Sequence, residues 1–145
     1  MSFAHYRAHT DPLFMESKIL KLMDIIKVNN IMFVHNVINN KAPRHFANYF
    51  QFRKTQHLYP TSNNPNSLYS IPKGSLVYPH VNTCIGRQTI KYICTDNWNY
   101  IIKHFSRINH HYSPTDELWL TNLSIPILKA LLKKHFLEQY NQYAT

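Results

Sequence analysis

From position 19 to position 38 the chain runs twenty residues without a proline or a glycine. Ile19, Leu22, Ile25, Ile26, Val28, Ile31, Met32, Phe33, Val34 and Val37 recur within it at helical spacings. This pattern predicts one long helix over about 22–38, stopped by Asn39-Asn40 and by Pro43. Its apolar residues cover much of the circumference, and a helix of that kind belongs in an interior. The helix is therefore expected to be central to the core.

The other elements are expected around it. Residues 1–10 are polar and His-rich and are expected to be loose, so that a single domain spans 11–145 and begins its apolar pattern at Asp11-Pro12. Residues 44–50 fit a short helix with Phe46, Tyr49 and Phe50 on its apolar face. From 51 to 80 the character changes: Pro60, Pro65, Pro72 and Pro79 fall among Asn, Ser and Tyr. Proline fixes φ and removes an N–H donor, so this stretch reads as extended and irregular. A structureless segment this long in a small domain usually serves a ligand or partner. Residues 77–81 and 89–93 are strand-like, and a turn at 83–86 would join them in a hairpin. Residues 96–105 read as helix. Ser113-Pro114-Thr115-Asp116 and Ser124-Ile125-Pro126 read as helix starts. The last helix should reach about Tyr140, with Leu128, Leu131, Leu132 and Phe136 as its buried stripe. The expected fold is a small, mainly α domain (α+β by virtue of one small hairpin) with a long Pro/Asn/Tyr-rich middle.

Charge is distributed unevenly. Sixteen Lys and Arg face seven Asp and Glu, for a net charge of +9. Between Asp24 and Asp96 there is no acidic residue, yet Lys27, Lys41, Arg44, Arg53, Lys54, Lys73, Arg87 and Lys91 all lie there. Nothing local cancels that positive field, and its natural partner is a polyanion, most commonly nucleic acid. No apolar run approaches the length of a bilayer span, and the first ten residues lack the apolar core of a signal peptide. With only Cys84 and Cys94 there is no disulfide framework. The expectation is a nuclear or cytoplasmic protein that is neither secreted nor bound in a membrane.

The sequence offers little for catalysis. Metal-dependent phosphoryl transfer needs clustered carboxylates, but Asp11, Asp24, Asp96 and Asp116 are far apart in sequence. Gly74 and Gly86 are isolated and make no phosphate loop. Cys84, Cys94, His104 and His110 are the one set with metal-ligand chemistry. Nine residues separate the two cysteines, where structural zinc sites pair ligands across two to four. The plainer reading makes both cysteines small core residues. No cofactor and no catalytic residue is expected.

Basic and aromatic residues interleave in two clusters. Tyr49, Phe50, Phe52, Arg53, Lys54, His57 and Tyr59 form the first; Tyr69, Lys73, Tyr78, His80, Arg87, Lys91 and Tyr92 form the second. Arg and Lys neutralise phosphates while aromatic rings stack on unpaired bases. The expected contact set is Lys41, Arg44, Arg53, Lys54, Lys73, Arg87 and Lys91 for phosphates, with Tyr59, Tyr69 and Tyr92 stacking. Two alternatives stay open. Half of these rings could be core, or the basic middle could wrap a protein or ribonucleoprotein surface, as an adaptor would.

The order of the segments resembles a known family. Asp11-Pro12-Leu13-Phe14 and Lys18-Ile19-Leu20-Lys21-Leu22 lead into the long helix. Asn39-Asn40-Lys41-Ala42-Pro43, Phe46 and Tyr49-Phe50 follow, then His57-Leu58-Tyr59-Pro60-Thr61. Next come Val81-Asn82-Thr83-Cys84-Ile85-Gly86-Arg87-Gln88-Thr89-Ile90-Lys91-Tyr92 and Asn97-Trp98-Asn99. The closing segment is Ile127-Leu128-Lys129-Ala130-Leu131-Leu132-Lys133-Lys134-His135-Phe136-Leu137. Together these resemble the region downstream of the polymerase core in the reverse transcriptases of jockey-like animal non-LTR retrotransposons. The chain departs from that pattern at Ile93-Cys94-Thr95-Asp96-Asn97, where the family has Arg-Gly-Pro, and at Ile101-Ile102, where it has Leu-Pro. The resemblance implies an accessory region that helps hold template RNA and target DNA. It implies partnership with the rest of a reverse transcriptase or a ribonucleoprotein, or descent from such an element as a decayed or repurposed copy. The palm carboxylates of the parent polymerase are absent from this sequence.

Overall fold

A computed structural model describes residues 10–53, 74–108 and 119–141. The elements, in order, are α1 (Asp11–Glu16), α2 (Leu22–Ile38), a 3₁₀ turn (Arg44–Phe46), a second 3₁₀ turn (Gly86–Gln88), α3 (Ile90–Ile108), α4 (Trp119–Asn122) and α5 (Ile125–Asn141). The protein is mainly helical, as its periodicity implies. Several expectations lie outside the described residues: the loose N-terminus, most of the irregular middle and the helix start at Ser113.

The chain folds as two compact units, Met1–Met32 with Leu123–Thr145, and Phe33–Asn122. In the first, α1 packs on α5. Val28 and Ile31 of α2 are buried, as are Leu128, Leu132, Phe136 and Tyr140 of α5, while Lys129, Lys133 and Lys134 stay exposed. A polar network ties these helices together. The Tyr140 hydroxyl donates to Asp24 Oδ2 at 2.6 Å and accepts the Lys21 amide at 2.9 Å. Lys27 Nζ donates to Asp24 Oδ1 at 2.8 Å, and Lys21 Nζ pairs with Asp11.

Burial, helped by the bond to Asp24, pushes the Tyr140 hydroxyl up to about 12 from an ordinary 10. A raised pKa means the folded state holds the proton longer than the unfolded state. This contribution is therefore complete below pH 10 and is lost as pH rises through 12. The urea midpoint is expected to fall between pH 9 and pH 12, and Tyr140→Phe should flatten that fall. At pH 8 the same variant should lose about 1.5–3 kcal/mol, typical of a hydrogen bond to a charged group.

Both ends of α2 are set locally. α1 closes with Lys18 at φ 53°, its amide bonded to the Met15 carbonyl and the Ile19 amide to the Phe14 carbonyl. α2 closes the same way: Asn40 sits at φ 55°, Asn40 N bonds to Val37 O, and Lys41 N bonds to Asn36 O. This is the Schellman arrangement, and asparagine tolerates the left-handed position it requires. The helix is not central along its whole length, contrary to the expectation from its composition. Val28, Ile31, Val34, His35 and Val37 are buried, but Leu22, Met23, Ile25 and Ile26 are exposed.

The second unit is organised by α3. Cys94, Thr95, Trp98, Ile101 and Ile102 make its buried stripe at helical spacing. Two expectations fail here. The hairpin does not form: residues 77–81 are irregular, and α3 begins at Ile90 instead of Asp96. Thr89 is the reason. Its backbone is extended, and its Oγ1 accepts the Tyr92 amide at 3.4 Å, capping the helix start. The β-branched Ile90 and Ile93 then lie on the exposed side of α3. Residues 44–50 also make one 3₁₀ turn and a bend at Asn48 (φ 63°) in place of a helix. Their aromatics still gather: Phe33 meets Phe46 and Phe50 edge-on at 5.2 and 6.0 Å.

Cys94 is buried in α3, as expected for a core thiol, whereas Cys84 is exposed. Burial pushes the Cys94 thiol to about 11. Ellman's reagent is expected to titrate one thiol per folded chain, Cys84, and the second only on unfolding. Rapid reaction of both under native conditions would contradict this burial.

Candidate nucleic-acid interface

The two basic-aromatic clusters are joined by a short piece of backbone pairing. Phe52 and Leu76 form an isolated antiparallel bridge. Arg53 N bonds to Ser75 O at 2.8 Å, and Val77 N to Gln51 O at 2.9 Å. The strand-like piece at 74–77 is held on α3 by two neighbouring side chains. Trp98 Nε1 donates to Gly74 O at 3.0 Å. The Asn99 amide acts as a surrogate strand: Oδ1 accepts Leu76 N at 2.7 Å and Nδ2 donates to Leu76 O at 3.0 Å. Leu76 is fully buried, so both of its backbone polar groups need these partners.

This scaffold crosses the clusters over. The Arg53 guanidinium, from the first, lies over the ring of Tyr78 from the second, 5.8 Å from its centroid. Lys91 Nζ, from the second, lies over the ring of Tyr49 from the first at 4.9 Å. Tyr78 and Tyr92 sit 5.3 Å apart with their planes tilted by 45°. The Tyr78 hydroxyl donates to Asp96 Oδ1 at 2.9 Å, and burial followed by this bond raises its pKa, keeping it protonated. A cation resting on an aromatic face is steadied by about 0.5–1 kcal/mol and keeps its charge available. The result is a set of positioned cations on a partly apolar floor.

Arg53 and Arg87 are exposed, Lys91 and Tyr92 half-buried. Arg87 stands on the 3₁₀ turn leading into α3, next to Gly86, where a Cβ would lie 3.0 Å from the Val81 Cβ and press on that side chain. Lys41 and Arg44 are exposed just after α2. Arg44 also lines a cavity of about 250 Å³ with Asn40, Pro43 and Phe46. Lys54, Tyr59, Tyr69 and Lys73 lie outside the described residues. Tyr49, Tyr78 and Asp96 are part of the arrangement but were not in the expected contact set. Tyr49 and Tyr78 belong to the two sequence clusters, which is the signal that could have found them. Tyr92 has a partner in Tyr78, so one side of its ring is already covered.

Two members of the Cys/His set are held apart by the helix that carries them. Cys94 and His104 sit ten residues apart on α3, a rise of about 15 Å, too far to share an ion. Cys84 is exposed on the preceding turn, and His110 lies outside the described residues. Among the described residues no cluster of three metal-ligating side chains occurs. No described helix is long and apolar enough to cross a membrane. No protein-family model, curated protein or solved structure matches the chain.

Proposed function

We propose that this chain binds nucleic acid through the face built from Tyr49, Arg53, Tyr78, Arg87, Lys91 and Tyr92, as an accessory region of the kind found downstream of a non-LTR retrotransposon polymerase. One observation carries the reading. Two basic-aromatic clusters from an acid-free span pair with each other, Arg53 on Tyr78 and Lys91 on Tyr49. Cations held over rings suit a backbone of phosphates, and the adjoining tyrosines offer surfaces to unpaired bases. In this reading Arg53, Arg87 and Lys91 contact phosphates, and Lys41 and Arg44 extend the track. Tyr92 offers the side of its ring that faces away from Tyr78. The chain performs no polymerisation itself and works in the nucleus or cytoplasm beside a polymerase or a ribonucleoprotein.

Anisotropy of labelled single-stranded RNA and duplex DNA, titrated with the purified chain across a salt series, tests this. Affinity is expected to fall as salt rises, with a log–log slope of about −2 from Arg53, Arg87 and Lys91 on a single strand, steepening to about −3.5 where Lys41 and Arg44 also engage. Binding that ignores salt, or no binding to either probe, contradicts the reading.

A further inference from the structure

The outward face of α2 is apolar. Leu22 is 71% exposed and Met23 65%, with Ile25 and Ile26 beside them and Ile19, 56% exposed, just before the helix. A helix in water normally turns its polar side outward. Here the side turned away from the core is the greasy one, and all five residues belong to the same compact unit.

Two of the flanking lysines are already paired. Lys21 pairs with Asp11 and lies over the ring of Tyr140 at 5.2 Å. Lys27 pairs with Asp24 and lies over the ring of Phe136 at 5.4 Å. Lys18, next to Ile19, lines the groove between α1 and α5 with Met15, Lys133 and Glu138. The face itself therefore carries no net charge. It holds nothing for a polyanion, and nothing in it repels an identical face.

We infer that this face is a homodimer interface in which α2 of one chain packs against α2 of a second copy. The area agrees. The five side chains expose on the order of 500 Å², the upper range for a patch on a monomer. Two such patches would bury about 1,000 Å², the lower bound for a specific interface. An interface of that size gives a weak, concentration-dependent dimer. This inference is independent of nucleic-acid binding, and salt separates the two. Salt weakens phosphate contacts but screens the mutual repulsion of two +9 chains, so the dimer should strengthen as salt rises.

Sedimentation equilibrium of the full chain over a concentration series, without nucleic acid, tests it. The average mass is expected to climb from 17.3 kDa toward twice that value. Leu22→Glu combined with Ile26→Glu should stay at the monomer mass with an unchanged circular dichroism spectrum, since both residues are exposed. Should that pair lose its fold, single cysteines decide in a Cys84→Ser background. At least one of Leu22→Cys, Met23→Cys and Ile26→Cys should oxidise to a disulfide-linked dimer far faster than Lys129→Cys, an exposed site on α5. A wild-type chain that stays monomeric assigns the face to a different partner and overturns the dimer. So does a dimer that survives the double glutamate, or cysteines in the patch that cross-link no faster than position 129.

Discussion

Reversing Arg53, Arg87 and Lys91 to glutamate is expected to weaken nucleic-acid binding about a hundredfold at 0.1 M salt, because each phosphate contact on a single strand contributes about a factor of five there through counterion release. On a single strand the log–log salt slope should shrink by about 0.7 for each cation lost. The reversal takes the net charge from +9 to +3, so a control must separate position from total charge. Lys129→Glu, Lys133→Glu and Lys134→Glu on α5 make the same change at exposed positions outside the proposed face. That variant should lose far less affinity. Equal losses in the two triple variants would mean that only global charge matters. Lys91 is half-buried against Tyr49, so thermal unfolding of the variant is followed in parallel.

Trp98→Ala is expected to cost about 3–5 kcal/mol, the usual range for removing a fully buried large aromatic. The side chain is wholly inaccessible and also supplies the donor to Gly74 O. A loss of that size is comparable to the total stability of a small domain, 5–15 kcal/mol, so the variant should be largely unfolded or unfold in little urea. Asn99→Ala gives a more selective result. It leaves the amide and carbonyl of buried Leu76 without their partners, at a cost of about 1–3 kcal/mol for each orphaned group. The backbone piece at 74–77 carries Arg53 and Tyr78 into register, so this variant should lose nucleic-acid affinity while α5 keeps its structure. Urea unfolding and anisotropy on the same samples check both statements.

The helices that sequence made legible were those with unbroken apolar periodicity and explicit ends. α2 ends at the asparagine pair because Asn40 takes the left-handed position there, and α5 starts just after Ser124, with Pro126 in its first turn. The hairpin at 77–93 was a misreading of local composition. Seven β-branched and aromatic residues, Val77, Tyr78, Val81, Thr89, Ile90, Tyr92 and Ile93, outweighed the helical spacing of Cys94, Trp98, Ile101 and Ile102, in a helix that starts at Ile90. The charge of the candidate face was visible in sequence, but its assembly was not. It depends on the Phe52–Leu76 bridge, which joins residues 24 positions apart, and on Asn99, a helical asparagine that nothing local marks as a backbone clamp. The outward apolar side of α2 was also hidden, because composition around a helix does not say which side its neighbours cover.

The central claim is that nucleic acid seats on the face where Arg53, Tyr78, Lys91 and Tyr92 meet. Its most direct test is a titration of the ¹⁵N-labelled chain with a short single-stranded RNA, followed by amide chemical-shift changes. The expected result is a set of salt-sensitive shifts concentrated at 49–53, 76–80 and 86–96, with α5 unmoved. Shifts confined to α5 or spread evenly over the chain, or spectra that do not change, would contradict it.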